Sequence, residues 1–201
     1  MRPMTESPAL AMVEVDSVAR GLRTLDALVK KAPVRILEAN LIEPGRFLIL
    51  FAGGVGEVDE SFIEAVAVAA EELSDRLFLA DAHPAILRGL RGYLDLRGAD
   101  DMDCLAVIEG SRVASTLRAV ERSLKEADVS LAGLRVSGGL GGRAYYVVFG
   151  AQHDVEAAIE AGKAILEEAR QLKKVEIIPR PHPEMVTWLL RPPPFAVARE
   201  G

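Results

Sequence analysis

A chain of 201 residues has room for one large domain or two of about 100 residues each. A formal net charge of −6 denies it the basic surface that general nucleic-acid binding needs. The lone cysteine, Cys104, excludes an intrachain disulfide framework and fits a reducing compartment. Half of the residues are apolar and only 5 % are aromatic, so any core must be aliphatic. No apolar run approaches the roughly 20 residues of a membrane span. Residues 1–8 lack the cationic-then-apolar order of a signal peptide.

In chain order, 9–15 is a short apolar run that predicts a strand. Over 17–32, Val18, Leu22, Leu25, Leu28 and Val29 recur at helical spacing behind Ser17, an N-cap residue type. Strands are expected at 34–42 and 46–52, on either side of the turn signal Glu43-Pro44-Gly45. A second helix is expected over 57–73, with Val58, Phe62, Ala65, Val66 and Ala69 on one face, then a short strand at 76–80. The same order returns as strand 104–109, helix 111–127, strands 129–136 and 143–149, helix 152–170 and strand 174–178. Three consecutive prolines follow Arg191 and predict an extended tail.

The halves are also alike residue by residue. Leu10-Ala11-Met12-Val13-Glu14 parallels Leu105-Ala106-Val107-Ile108-Glu109, Lys30 parallels Lys125, and Gly45-Arg46 parallels Gly142-Arg143. His83-Pro84 parallels His182-Pro183. A period near 97 residues is too long for a solenoid and is the size of a small domain. The expected fold class is therefore α+β: two tandem β-α-β-β-α-β units of ferredoxin-like type, each an antiparallel four-stranded sheet with both helices on one face. The expected boundaries are 1–90 and 104–190, with a linker at 91–103 and a tail at 191–201.

No residues at catalytic spacing stand out. His83 and His182 occupy equivalent places in different domains without a neighbouring cysteine or paired carboxylate, so a structural role is expected. His153 opens a helix and should be exposed. The glycine run 138–142 has no lysine of the phosphate-loop type and lies between two strands rather than before a helix. An RNA-binding sheet needs aromatics on one face, whereas Tyr145 and Tyr146 are adjacent and point to opposite faces. An enzyme is not expected, nor a metal, a cofactor, a nucleic-acid partner or a membrane.

The segment Val175-Glu176-Ile177-Ile178-Pro179-Arg180-Pro181-His182-Pro183-Glu184 resembles the terminal strand and edge motif of bacterial microcompartment (BMC) shell proteins. Leu10 to Glu14 resembles their opening strand, followed by an Ala/Leu-rich helix ending in a lysine. The segments 41–46 and 136–143 fall where that family carries its pore loop. The resemblance spans about 9–90 and 104–187 in the non-permuted order. It implies a tandem-domain tile: a homotrimer whose six domains form a pseudohexamer around a central pore for small metabolites. Other shell proteins, hexamers and pentamers, are the implied partners, in a microcompartment shell of the bacterial cytoplasm.

By the same resemblance the pore is lined by Ile42, Glu43, Pro44 and Gly45 of the first loop and by Ser137, Gly138, Gly139, Leu140 and Gly141 of the second. Three copies of Glu43 on a narrow ring would disfavour anions and raise one another's pKa. Some tandem relatives carry a cysteine in the first loop and bind an iron–sulfur cluster. Glu43 stands at that position here, so no cluster is expected. Lys30, Lys125, Arg180 and His182 are the implied edge residues, with Asp81 in place of an arginine in the first half. The alternative reading is a small-molecule-sensing trimer of ferredoxin-like domains.

Overall fold

A computed structural model of the protein describes residues 9–92 and 103–189. The first sheet is built from β1 (Ala9–Val15), β2 (Arg35–Ile42), β3 (Arg46–Gly53) and β4 (Leu73–Leu79), in the order β2-β3-β1-β4 with every pair antiparallel. The second repeats it with β5 (Cys104–Gly110), β6 (Ser130–Val136), β7 (Ala144–Gly150) and β8 (Leu172–Pro179), in the order β6-β7-β5-β8. Helices α1 (Val18–Lys31) and α2 (Val55–Ala69) pack together in the first domain, and α4 (Val113–Glu126) and α5 (Gln152–Glu168) in the second. The expected β-α-β-β-α-β order is observed in both halves. Among the described residues no helix is long and apolar enough to cross a membrane.

Alternation along β1 explains how the two domains meet. Successive side chains of a strand point to opposite faces. Ala9, Ala11, Val13 and Val15 join Phe47, Ile49 and Phe51 beneath α1 and α2. Leu10 and Met12, on the other face, join Leu48, Leu50, Leu77 and Ile86 in one core with Leu117, Val120 and Leu124 of α4. Every residue of β1 is consequently buried. Helix α4 covers its own sheet on one side and β1 and β4 of the first domain on the other, which is why ten of its 14 residues are buried.

Ser17 caps α1 as its residue type predicts, accepting from Arg20 N at 3.3 Å. The second helix of each domain ends earlier than periodicity predicts, at 69 rather than 73 and at 168 rather than 170. Ala-Ala-Glu-Glu-Leu is good helix sequence, but Leu73 is needed as the β4 partner of Val15. The chain leaves the helix through Ala70 and, in the second domain, Arg170, both at positive φ without a glycine to announce them.

Two short helices, α3 (Pro84–Leu90) and α6 (Pro183–Leu189), were not expected from periodicity. Each begins at a repeated His-Pro. In both, the imidazole Nδ1 accepts from the backbone N–H two residues on, at 3.3 Å, and proline takes the first helical position. This is the N-terminal proline signature of a helix with a histidine serving as the cap. Helix α3 packs Gly89 against Leu131 and Leu134 of the second domain. Val186 of α6 joins Leu105, Ala132, Val147 and Phe149 on the outer face of the second sheet. Most of the expected 91–103 linker and all of the 191–201 tail lie outside the described residues.

Candidate functional site

The two loops expected at a pore are brought together within one chain. The first turns from β2 to β3, closed by Gly45 N donating to Ile42 O at 3.1 Å. The second joins β6 to β7, closed by Ser137 N donating to Arg143 O at 2.9 Å. Gly138, Gly139, Gly141 and Gly142 all have positive φ, as does Ser137. Glu43 bridges the loops: its carboxylate accepts from Gly139 N at 3.2 Å and from Ser137 Oγ at 3.1 Å. Pro44 and Gly45 are exposed at the turn, Leu140 is half-buried, and Ile42 is buried in the interdomain core.

Those donors, with the backbone N–H of Glu43 itself as the largest contributor, hold the Glu43 carboxyl below its ordinary value. Within one chain the direction is thus opposite to the rise expected from a ring of like charges. The carboxylate is tied to its neighbouring loop before any second copy is considered.

Below the loops lies a buried ion pair. Glu14, fully buried, accepts from Arg46 Nη1 at 2.5 Å through one oxygen and from Ala114 N at 2.7 Å through the other. It therefore satisfies an N-terminal backbone donor of α4, where a negative charge is favoured. The other nitrogen of Arg46, Nη2, donates to Glu43 O at 3.2 Å and Gly142 O at 2.8 Å. One guanidinium thus holds β1, the first loop and the second loop. A Cβ at residue 142 would overlap both the Glu43 carbonyl and this guanidinium, so the position needs glycine. Burial is the main cause that raises the Glu14 pKa to about 6, against the Ala114 hydrogen bond and Arg46, which lower it. Burial likewise lowers that of Arg46; Glu14 opposes the shift and neighbouring Arg112 adds to it.

Two further carboxylates tie α4 to the first domain. Asp75 accepts from Ser115 N at 2.8 Å, Ser115 Oγ at 2.5 Å and Arg118 Nη2 at 3.1 Å. Glu121 accepts from His83 N at 2.8 Å and pairs with Lys125 at 2.6 Å. Lys125 also donates to Asp81 O at 2.7 Å, so this edge candidate sits on the interdomain junction. Its counterpart Lys30 is exposed and pairs with Asp26 of its own helix. Arg180 is exposed at positive φ, with its backbone N–H on Asp103 O. His182 caps α6 as described. Sequence reasoning missed Glu14, Arg46, Asp75 and Glu121; the buried Glu14 in an otherwise apolar strand was the visible signal.

Cys104 opens β5 fully buried, and burial pushes its thiol pKa up, as for an unreactive core cysteine. His153 is exposed beside Asp154. Among the described residues no group of three or more His, Cys, Asp or Glu is arranged to hold a metal ion.

A duplicated, non-permuted β-α-β-β-α-β domain whose two β-hairpin loops are bonded to each other defines a tandem two-domain α+β protein with both loops gathered at one junction. Comparison with known proteins gives that class its family. The BMC domain family matches residues 9–82 and again 104–181. A relative from Citrobacter freundii, bacterial microcompartment shell protein PduT, is 32 % identical over 89 % of this chain and 96 % of its own length. The crystal structure of a microcompartments protein from Desulfitobacterium hafniense DCB superposes with a TM-score of 0.76 at 30 % identity, covering 89 % of this chain and 97 % of that one. The fused permuted hexameric shell protein MSM0275 from the RMM microcompartment shares the fold at 19 % identity and a TM-score of 0.57, over 81 % of this chain and 85 % of that one. The chain belongs to the BMC-domain family of bacterial microcompartment shell proteins, in its tandem form.

Replacing Glu14 by Gln leaves a buried guanidinium without its counter-charge, which costs about 3–5 kcal/mol. Urea denaturation should show that loss for Glu14→Gln. Asp16→Asn, at a half-exposed carboxylate 3.4 Å from Arg112, should stay within about 1 kcal/mol of the parent.

His83 supplies a pH dependence. Burial lowers its pKa below 6.5, with Lys125 and Arg88 adding to the fall and Glu121 and Asp81 opposing it. The cap requires Nδ1 unprotonated. The unfolded chain takes up the proton first as pH falls, so this contribution is complete above pH 6.5 and is lost below it, towards the lower folded value. Glu14 acts oppositely from about pH 6 down to its ordinary value of 4.5, where its proton is held more tightly in the folded chain. Subtracting the denaturation profile of His83→Asn, which keeps a cap acceptor but does not titrate, should isolate the histidine slope. A flat difference between pH 7.5 and 5.5 would count against it.

Proposed function

We propose that this chain is a structural, non-catalytic component of a bacterial microcompartment shell in the cytoplasm, acting as a homotrimer whose six domains surround a pore for small metabolites. The observation that carries the assembly is an apolar stripe used once inside the chain and left open once. Leu117 and Leu124 of α4 are 0 % and 7 % exposed because they dock on the outer face of the first sheet. The equivalent residues of α1, Leu22 and Val29, are 53 % and 44 % exposed. The second sheet offers the matching outer face, where Val107, Tyr145 and Ile178 stay partly exposed beside the residues that α6 already covers.

The occupant that fits is a second copy. Its α1 lies on this chain's second sheet as α4 lies on the first, so the interface is head-to-tail and must close into a ring or run on as a filament. Closure after three copies gives six domains, the number that the family relationship supports. The loops then alternate: Glu43, Pro44 and Gly45 of each copy next to Ser137, Gly138, Gly139, Leu140 and Gly141. Ile42 buttresses the first loop from the core. An effector-sensing trimer has less support, since nothing in the fold distinguishes a liganded arrangement of the chain.

At the rim, Lys30, Arg180 and His182 are the exposed residues proposed to meet neighbouring tiles, hexamers of single-domain shell proteins among them. Lys125 contributes there while also pairing with Glu121.

Sedimentation of the parent should give about three times the 21.6 kDa chain mass. Leu22→Asp should give the chain mass with an unchanged circular dichroism spectrum. A Leu22→Asp protein that still sediments as a trimer would remove α1 from the interface. Electron microscopy of concentrated parent should show extended sheets. Arg180→Ala should remain trimeric but lose them, and sheets as extensive as the parent's would remove Arg180 from the edge.

A further inference from the structure

A cleft of about 580 Å³ lies at the junction of the two domains, beside both loops. Arg46, Arg112, Arg143 and Lys173 line it, with Asp16 as the single carboxylate. Pro44 and Gly141 form its loop-side wall, and Ser111 and Gln171 add neutral polar groups. Among the described residues the Asp16 carboxylate pairs with Arg112 alone, at 3.4 Å. Glu14 behind the cleft balances Arg46 and Asp16 faces Arg112, so Arg143 and Lys173 leave the lining with an excess of positive charge, which a bound anion stabilises.

The cluster is not explained by α4 needing its N-terminus satisfied, because Ala114 N and Ser115 N already donate to Glu14 and Asp75. Nor is Arg46 fully used by its structural partners. Its side chain is 6 % exposed, and among the described residues its buried Nε has no acceptor. A built, largely buried donor in a cationic cleft is the second mark of a ligand site, since buried polar groups are otherwise paired.

The duplication supplies an internal control. In the proposed ring, the equivalent junction between copies places Ser17 where Arg112 stands, Ser74 where Lys173 stands and Glu72 where Gln171 stands. The junction within the chain is therefore strongly cationic, whereas the one between chains is balanced. The difference comes from substitutions on one side of the repeat and is not forced by the fold.

We propose that the intrachain cleft binds a small oxyanion, a metabolite carrying a phosphate or paired carboxylates, at one site per chain beside the pore. Arg112 and Arg143 offer planar N–H groups that match such oxygens, Arg46 adds its unpaired Nε, and Lys173 adds a mobile point charge. The volume suits a metabolite of modest size. The site lies within one chain, so it does not rest on trimer formation.

Calorimetric titration of the full chain with inorganic phosphate, and separately with malonate, in a zwitterionic low-salt buffer tests this. One saturable event per chain is expected with at least one of the two, weakened by added salt. The stronger probe identifies the ligand class. The Arg112→Gln/Lys173→Gln protein should bind about tenfold or more weakly, the loss of a charge-assisted contact. Lys31→Gln/Arg35→Gln, which removes the same net charge at exposed side chains elsewhere, should bind as the parent does. Lys173→Gln alone, at an exposed side chain, gives the same comparison should the double variant fold poorly. The monomeric Leu22→Asp chain should retain the site, which separates its fate from that of the trimer. No saturable binding to either probe, equal weakening in both double variants, or loss of binding in the Leu22→Asp chain would overturn the proposal.

Discussion

Helix α4 has to be buried on two sides, and the rest of the chain is arranged around that constraint. An amphipathic surface helix presents one apolar stripe to its own sheet. Helix α4 carries a second, which covers the outer face of the first sheet. Its N-terminal donors would then be stranded away from water, and Glu14 and Asp75 of the first domain meet them. A carboxylate as buried as Glu14 requires a counter-charge, which Arg46 provides. Arg46 in turn fixes the two loops against each other. Apolar packing, helix capping and loop placement are thus successive consequences of one docking event.

The same constraint determines what was legible in the sequence. Strands and helices followed from period and length, and the duplication followed from matched residues such as Lys30 and Lys125. The order β-α-β-β-α-β and the place of the loops needed nothing more. The ends of α2 and α5 were illegible because the pairing of β4 and β8 overrides local helix preference, with Ala70 and Arg170 taking positive φ in place of glycine. Helices α3 and α6 were legible in principle. His83-Pro84 and His182-Pro183 are start signals, but histidine is an uncommon cap and the helices are short.

The candidate site divided along similar lines. Loop positions came from the repeat and the family resemblance, because glycine-rich turns between strands are visible in one dimension. The electrostatic core did not. Glu14 and Arg46 are 32 residues apart, and Glu14 and Ala114 are 100 apart. Pairing of β1 with β3 brings the first two together, and only the docking of the second domain adds Ala114. Glu43 shows the same limit from the other direction. Its charge suggested a group standing free in an opening, whereas Ser137 and Gly139 hold it to the adjacent loop. Its field would still reach an opening, but from a fixed position and in an ionised form.

Duplication matters because it separates requirements that a single-domain ring must meet with one sequence. In a ring of identical domains, residue 112 and residue 17 would be the same position, as would 173 and 74. Any cation placed there would appear at all six junctions. The fused chain holds arginine and lysine at the junction inside the chain and serine at both equivalent positions of the first domain. In the proposed ring, three charged clefts then alternate with three balanced ones. Both halves keep a glutamate near the end of the first strand and an arginine after the loop, Glu14 with Arg46 and Glu109 with Arg143, although only Glu14 is fully buried within the chain. In the proposed ring, what the halves hold in common serves closure, and what they hold apart is where chemical selectivity has room to arise.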